Sequence, residues 1–169
     1  MRKVVLIILL TSSLVYSQSP TVQPASVPTR DAANVISFFG GDDNSYDNIS
    51  GVDFQVFWSQ PVPPWVAPDL ALNAAGDKVL KYTSFGYQGL DFSGNKQNVA
   101  GMEFLHIDIW TNSSSVDLTL LSAGSGDFAF NFSANQGSWT SVDIPLTHFA
   151  QNINLNLAEL NQMKFYNGN

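Results

Sequence analysis

Short apolar runs alternate with polar, glycine-rich clusters along most of this chain. From Val35 onward the runs have the length of β-strands, and the clusters between them combine Gly, Asn, Asp and Ser as turns do. Within several runs apolar and polar residues alternate, which is the period of a strand with one buried face. The pattern predicts strands near residues 35–39, 53–58, 78–84, 87–92, 101–111, 116–121, 127–133, 138–146 and 162–166.

The alternation also predicts which side chains face the core, because successive side chains of a strand point to opposite sides. The predicted core stripes are Leu105, Ile107 and Ile109; Val116, Leu118 and Leu120; Phe128, Phe130 and Phe132; Val142, Ile144 and Leu146; Met163 and Phe165. The opposite faces carry Phe104, His106, Asp108 and Trp110; Asp117 and Thr119; Ala129 and Asn131; Trp139, Ser141 and Asp143; Lys164 and Tyr166. A polar face with scattered aromatic rings is typical of sugar-binding surfaces, because rings stack on pyranose C–H faces while polar groups bond hydroxyls.

Helical signals are scarce. Only the segment from Asn156 to Glu159 predicts a helical turn, with Asn156 as the N-cap and a glutamate three residues later. Glu103 and Glu159 are the only glutamates and lysine is rare, so the residues that build solvent-facing helices are nearly absent. The chain is therefore predicted to be all-β, an antiparallel β-sandwich.

The N-terminal segment has the features of a secretory signal peptide. Arg2 and Lys3 precede an apolar run from Val4 to Leu10, and Val15-Tyr16-Ser17 offers small residues where a signal peptidase cleaves. The apolar run is well short of the ~20 residues that span a bilayer, so no membrane span is expected. Residues 1–17 are predicted to be a signal peptide, and the protein is predicted to be secreted to the cell surface or the medium.

A proline-rich linker follows the predicted signal peptide. Pro20, Pro24 and Pro28 are evenly spaced among small polar residues, without hydrophobic periodicity. Such a composition favours an extended chain. Residues 18–30 are therefore predicted to be a linker, and residues 31–169 the folded domain.

Composition and charge exclude several classes of partner and chemistry. The net charge is −7 and no basic cluster occurs, which argues against nucleic acid and against an anionic membrane surface. The chain has no cysteine, so it forms no disulfide and carries neither a thiolate nucleophile nor a cysteine zinc ligand. At 44% hydrophobic residues, the 169-residue chain can still bury one sizeable core.

The order of several motifs resembles one family of secreted proteins. The motifs are RDAANVISFF from Arg30, Asp53-Phe54 with Trp58 and Gln60, Leu80-Lys81-Tyr82, Tyr87-Gln88-Gly89, MEFLHIDIWT from Met102, Trp139, and DIPL from Asp143. The chain is similar to the carbohydrate-binding, galactose-binding-like jelly-roll modules of Bacteroidota, which occur beside laminarinase-type glycoside hydrolases and other polysaccharide-utilisation proteins. The resemblance covers almost all of residues 30–165. It implies a jelly-roll topology, a non-catalytic module and a polysaccharide or oligosaccharide ligand.

The chain departs from that family at its C-terminus. Family members normally finish with a further strand, whereas this chain stops at Asn169, soon after the strand predicted at 162–166. The domain is therefore expected to lack its final strand, which would leave a sheet edge open. A catalytic or anchoring domain downstream is also expected from the resemblance.

The second departure is an acidic loop that is longer than the one in the family. It contains Asp42, Asp43 and Asp47, and clustered carboxylates suit Ca²⁺, so these residues are the candidate ligands of a structural calcium. The spacing is not that of an EF-hand, and a solvated acidic turn is the favoured interpretation of the loop. No other cofactor is expected. Zinc at His106 and Asp108 is disfavoured, because a zinc site needs three or four ligands.

The candidate ligand-binding residues lie on strand faces and one loop. They are Trp58, Gln60, Trp65, Gln88, His106, Asp108 and Trp110. Trp65 lies in a proline-rich segment and is either a stacking platform or an anchor that packs on the core. His106 and Asp108 either bind a ligand or bond each other or a neighbouring strand, with Trp110 then packed beneath a loop.

Three classes of function remain. The first is glycan recognition without catalysis, with a β-glucan of the laminarin type favoured by the resemblance. The second is an enzyme, which is disfavoured because no pair of carboxylates flanks a recognisable cleft and no nucleophile motif surrounds Ser141 in a Ser141, His106 and Asp143 triad. The third is a surface adhesion or structural module that binds protein partners.

Overall fold

The computed structural model describes residues 20, 24, 29–40, 46–56, 79–82, 86–124 and 126–167. Within them the strands are β1 Tyr87–Asp91, β2 Phe104–Thr111, β3 Ser115–Ser122, β4 Asp127–Ser133, β5 Ser138–Pro145 and β6 Leu160–Asn167. The helical elements are the short helix α1 Leu146–Phe149 and 3₁₀ turns at Ala32–Asn34, Ser93–Asn95 and Leu157–Glu159. The predicted signal peptide and most of the predicted linker lie outside the described residues.

The strands form two antiparallel sheets. One has four strands in the order β1-β6-β3-β4, and the other pairs β2 with β5. The prediction of an all-β, antiparallel β-sandwich is confirmed, whereas the jelly-roll topology stays a prediction.

The core lies between the sheets and is filled by the predicted stripes. Val116, Leu118 and Leu120 of β3 and Ile144 of β5 are essentially inaccessible to solvent. Other inward-facing residues are partly buried and pack against this cluster: Leu105, Ile107 and Ile109 of β2, Val142 of β5, Phe128 and Phe130 of β4, and Phe165 of β6. Because burial of apolar surface is the main driving force for folding, this alternation is what fixes the orientation of each strand.

Four predicted elements differ in the structure. Residues 35–39 form only one bridge, between Ser37 and Asn48. Residues 53–56, the described part of the strand predicted at 53–58, form one bridge, between Asp53 and Asp91. No strand occurs at 79–82, the described part of the segment 78–84. Leu146 begins α1 rather than ending β5: Pro145 is the N-cap of this helix, and the N–H of Leu146 still donates to the carbonyl of Glu103 at 2.9 Å. The turn predicted from Asn156 is confirmed, since its side chain accepts a hydrogen bond from the N–H of Ala158.

Side chains and short segments cover the edges of the four-stranded sheet. At the β4 edge, His148 Nε2 lies 2.9 Å from the carbonyl oxygen of Ala129, and Asn152 Nδ2 donates to that of Asp127 at 2.8 Å. At the β1 edge, Asp91 exchanges two backbone bonds with Asp53. β6 is central in this sheet, with β1 on one side and β3 on the other. The additional C-terminal strand stays a prediction.

Candidate functional site

The outer face of the four-stranded sheet is a regular grid of side chains. The register places residues of all four strands side by side in three rows that cross the sheet. In strand order β1, β6, β3, β4, the first row is Tyr87, Tyr166, Asp117 and Asn131, the second is Gly89, Lys164, Thr119 and Ala129, and the third is Asp91, Gln162, Leu121 and Asp127.

A shallow groove of about 560 Å³ lies over this grid. It is lined by Tyr87, Asp117, Thr119, Leu121, Ala129, Gln162, Lys164 and Tyr166. The middle row provides a low floor, because three of its four positions carry small residues. The first row places two tyrosines, Tyr87 and Tyr166, at one end of the groove, and Tyr166 is 44% exposed.

The carboxylates on this face are held by neighbouring polar groups. Asp117 Oδ1 accepts a hydrogen bond from Asn131 Nδ2 at 2.8 Å. Asp91 accepts bonds from the backbone N–H and hydroxyl of Ser93 and from Gln162 Nε2 at 2.5 Å. Burial alone would raise the pKa of Asp91, but the hydrogen bonds from Ser93 and Gln162 hold it below its usual value. Asp91 is therefore ionised at neutral pH.

The groove combines aromatic rings, fixed acceptors and one ammonium group on a low floor. Rings stack on apolar C–H faces, and amides, carboxylates and hydroxyls bond a ligand rich in hydroxyl groups. Among the described residues that line the groove, none is a histidine, cysteine or serine. The arrangement is suited to non-covalent recognition.

The predicted site on β2 has a different arrangement. Its outward residues pair across the two-stranded sheet, Phe104 with Pro145, His106 with Asp143, Asp108 with Ser141 and Trp110 with Trp139. His106 Nδ1 lies 2.7 Å from Asp143 Oδ1, its Nε2 lies 3.2 Å from Asp108 Oδ2, and Ser141 Oγ donates to Asp108 Oδ1. The polar groups therefore bond one another, which is the structural alternative that the sequence left open.

The same network contains the three residues of the possible catalytic triad, Ser141, His106 and Asp143, but not in a catalytic arrangement. Both ring nitrogens of His106 face carboxylates, so neither is placed to take a proton from Ser141. The hydrogen bond with Asp108 raises the pKa of His106 against the opposing effect of burial, and Asp143 raises it further. The Trp110 and Trp139 rings meet edge to face, 5.9 Å between centroids, and both side chains are partly buried.

The other candidate residues fall elsewhere. Gln88 is 5% exposed and faces inward, where its Nε2 donates to the carbonyls of Val56 and Gly89. It therefore does not line the groove. Three candidates, Trp58, Gln60 and Trp65, lie outside the described residues.

The candidate calcium ligands are only partly described. Asp42 and Asp43 lie outside the described residues, and Asp47 is exposed. No group of three or more potential metal-ligating side chains occurs within the described ranges. Nor does any described helix have the length and apolar character needed to cross a bilayer. The calcium site stays a prediction.

Comparison with known proteins identifies no relative of this chain. No family model matches the chain, and no curated protein or solved structure matches it either.

Sequence reasoning missed the groove, although it placed most of its residues outward. Asp117, Lys164 and Tyr166 were predicted on polar strand faces, but their neighbours were unknown. Only the strand order β1-β6-β3-β4 brings Tyr87 beside Tyr166. Alternation along single strands carries no signal for that order.

Proposed function

We propose that this protein is a secreted, non-catalytic glycan-binding module of a polysaccharide-degrading system. The observation that carries the proposal is the groove, with two tyrosine rings and fixed polar groups on one outer sheet face. The resemblance to jelly-roll carbohydrate-binding modules supports the same function and favours β-glucan among neutral chains. It also supports a role beside a glycoside hydrolase, as its accessory domain.

Aromatic stacking explains why the tyrosines should dominate affinity. Sugar hydroxyls are well solvated, so each hydrogen bond in the complex replaces one to water and adds little net free energy. A ring that covers a pyranose face removes apolar surface of both partners from water. Tyr166 is exposed enough to offer such a surface before any ligand binds.

Binding without catalysis fits the contacts of the carboxylates on this sheet face. A glycosidase needs a protonated carboxyl group as general acid. Asp91 is held ionised by Ser93 and Gln162, and Asp117 accepts a bond from an amide. The contacts of Asp91 favour a fixed acceptor over a proton donor.

The test compares two aromatic residues of similar exposure on opposite faces of the sandwich. Tyr166 is 44% exposed in the groove, and Phe104 is 48% exposed on β2. Affinity electrophoresis in gels that contain laminarin, xylan, mannan or pectin should show retention of the wild type by at least one polysaccharide. Tyr166→Ala should lose that retention and Phe104→Ala should keep it, with circular dichroism confirming both folds. Equal retention of the two folded variants, or no retention of the wild type, would overturn the proposal.

A surface adhesion module is the second candidate. Exposed Phe104 beside exposed Pro145 on the other sheet favours contact with a protein partner. In that case Phe104→Ala, rather than Tyr166→Ala, should abolish the interaction, and no polysaccharide should retain the wild type.

A further inference from the structure

The middle row of the groove contains a single charged side chain, Lys164. On neighbouring strands it is flanked at the same level by Gly89 and Thr119, and Ala129 lies one strand further. None of these side chains is long enough to cover an ammonium group. Lys164 is half-buried, at the centre of the described groove.

The acidic residues nearest to Lys164 in the grid bond other groups. Asp117, one row away, accepts from Asn131, and Asp91, one row away on the other side, accepts from Ser93 and Gln162. Within the part of the chain that the structure describes, no ion pair or hydrogen bond involves the Lys164 ammonium.

A second lysine shows the contrast. Lys96 Nζ lies 3.9 Å from a carboxylate oxygen of Glu159, outside the groove. In a chain with 14 acidic residues against 7 basic ones, a partly buried cation without a counter-charge marks a place for an anionic ligand group.

We propose that Lys164 binds the carboxylate of an acidic sugar, a uronate, within an otherwise neutral glycan. This inference rests on the proposed function and assigns a ligand class to the same groove. The ammonium pairs with the carboxylate in a charge-assisted hydrogen bond, while Tyr87 and Tyr166 stack on an adjoining ring.

The rows on either side of Lys164 explain why the neighbouring sugars should be neutral. They carry Asp117 on one side, and Asp91 and Asp127 on the other. Rows lie two residues apart, or about 7 Å, so each faces a different part of a bound chain. Carboxylates accept hydrogen bonds from neutral hydroxyls and repel a second uronate. A chain with isolated uronates should therefore bind better than a polyuronate.

The experiment uses polysaccharides in matched forms. Glucuronoxylan, xanthan and gum arabic carry uronates among neutral sugars, and chemical reduction of the carboxyl groups leaves each backbone intact. Affinity electrophoresis should show that the wild type binds at least one native form about tenfold more tightly than its reduced form, the effect of one charge-assisted hydrogen bond. Alginate, a polyuronate, should bind more weakly than that native form.

Substitutions of Lys164 then assign the preference to its charge. Lys164→Met and Lys164→Gln should abolish the difference between native and reduced forms, and Lys164→Arg should preserve it. Lys96→Met, the matched lysine outside the groove, should behave as the wild type. Circular dichroism reports folding, and the three replacements at position 164 guard against the loss of any one of them.

The outcomes separate this inference from the proposed function. A wild type that never distinguishes native from reduced forms, or a folded Lys164→Met variant that still does, overturns the uronate assignment. If Tyr166→Ala nevertheless loses binding to a neutral glycan, the proposed glycan-binding function stands without the uronate assignment. Alginate binding as tight as that of the isolated uronates overturns the requirement for neutral neighbours. A wild type that binds no glycan overturns both proposals.

Discussion

The outer faces of the two sheets are built from the same kinds of residue and differ in what those residues contact. On β2 and β5, His106, Asp108, Ser141 and Asp143 form one continuous hydrogen-bonded network between two tryptophans and an exposed Phe–Pro pair. On the four-stranded sheet, the central ammonium of Lys164 lacks such partners among the described residues. Aromatic and polar composition therefore does not distinguish the two faces. The cross-strand partners do.

The largest expected loss of stability comes from a substitution on the outer face of β2. Trp110→Ala removes a partly buried ring and its edge-to-face contact with Trp139, so it should lower the free energy of unfolding by about 3 kcal/mol. Urea denaturation measures the loss, and Phe104→Ala, on the same strand face but exposed, should change stability far less. If Trp110→Ala left stability unchanged and abolished glycan binding instead, the roles of the two faces would be reversed.

The next largest effect concerns the polar network. Asp108→Ala removes the acceptor of Ser141 and one partner of His106 together, so unfolding should become easier by about 2 kcal/mol. Asp117→Ala on the groove face removes a single bond from Asn131 and should have less effect, about 1 kcal/mol. If urea denaturation gave the two variants equal losses of unfolding free energy, the hydrogen-bonded network on β2 would contribute no more to stability than the bond between Asn131 and Asp117.

Much of the fold could be predicted from sequence because alternation is a local signal. Two predictions of this kind are confirmed: the core stripe of Val116, Leu118 and Leu120, and the turn capped by Asn156. The strand predicted at 35–39 is wrong, because Ile36 and Phe38 pack against the core while the backbone pairs at one position only. Residues 53–56, the described part of the strand predicted at 53–58, likewise pair only at Asp53.

The candidate site was harder to predict from the sequence, because it depends on contacts between residues that are distant along the chain. Tyr87 and Tyr166 are 79 positions apart in number and share one row of the sheet. Conversely, His106 and Asp108 form a local pattern that is typical of a site, but Asp143 and Ser141 from a separate strand satisfy them. Single-strand patterns predict faces, whereas the strand order determines which faces become sites.

A smaller effect is expected from pH. The pKa of His106 is raised in the folded protein, first by the hydrogen bond with Asp108 and then by Asp143. The protonated ring therefore stabilises the fold fully below its unfolded pKa, about 6.5, and this stability is lost as pH rises through the folded pKa. Urea denaturation should show the stability of the wild type relative to His106→Gln falling between acidic and mildly alkaline pH. A difference that is constant, or that grows with pH, would contradict the assignment. Partial exposure of the ring limits the size of the effect.

The smallest expected effect on stability, and the sharpest test of the groove, comes from Asn131→Ala. The residue lies exposed on the edge strand β4, and its main described contact is the bond from Nδ2 to Asp117 Oδ1, so the loss of stability should be below about 1 kcal/mol. Without that bond Asp117 can turn toward Lys164, one row away in the grid, and supply the counter-charge that the ammonium lacks. The preference for native over carboxyl-reduced glycans should then weaken, although Lys164 itself is unchanged. The double variant Asn131→Ala, Asp117→Asn should restore it, because the competing carboxylate is gone. Suppose that Asn131→Ala keeps the full preference while Lys164→Met loses it. Asp117 then does not compete for the ammonium, and the bond from Asn131 to Asp117 is not what leaves Lys164 without a counter-charge.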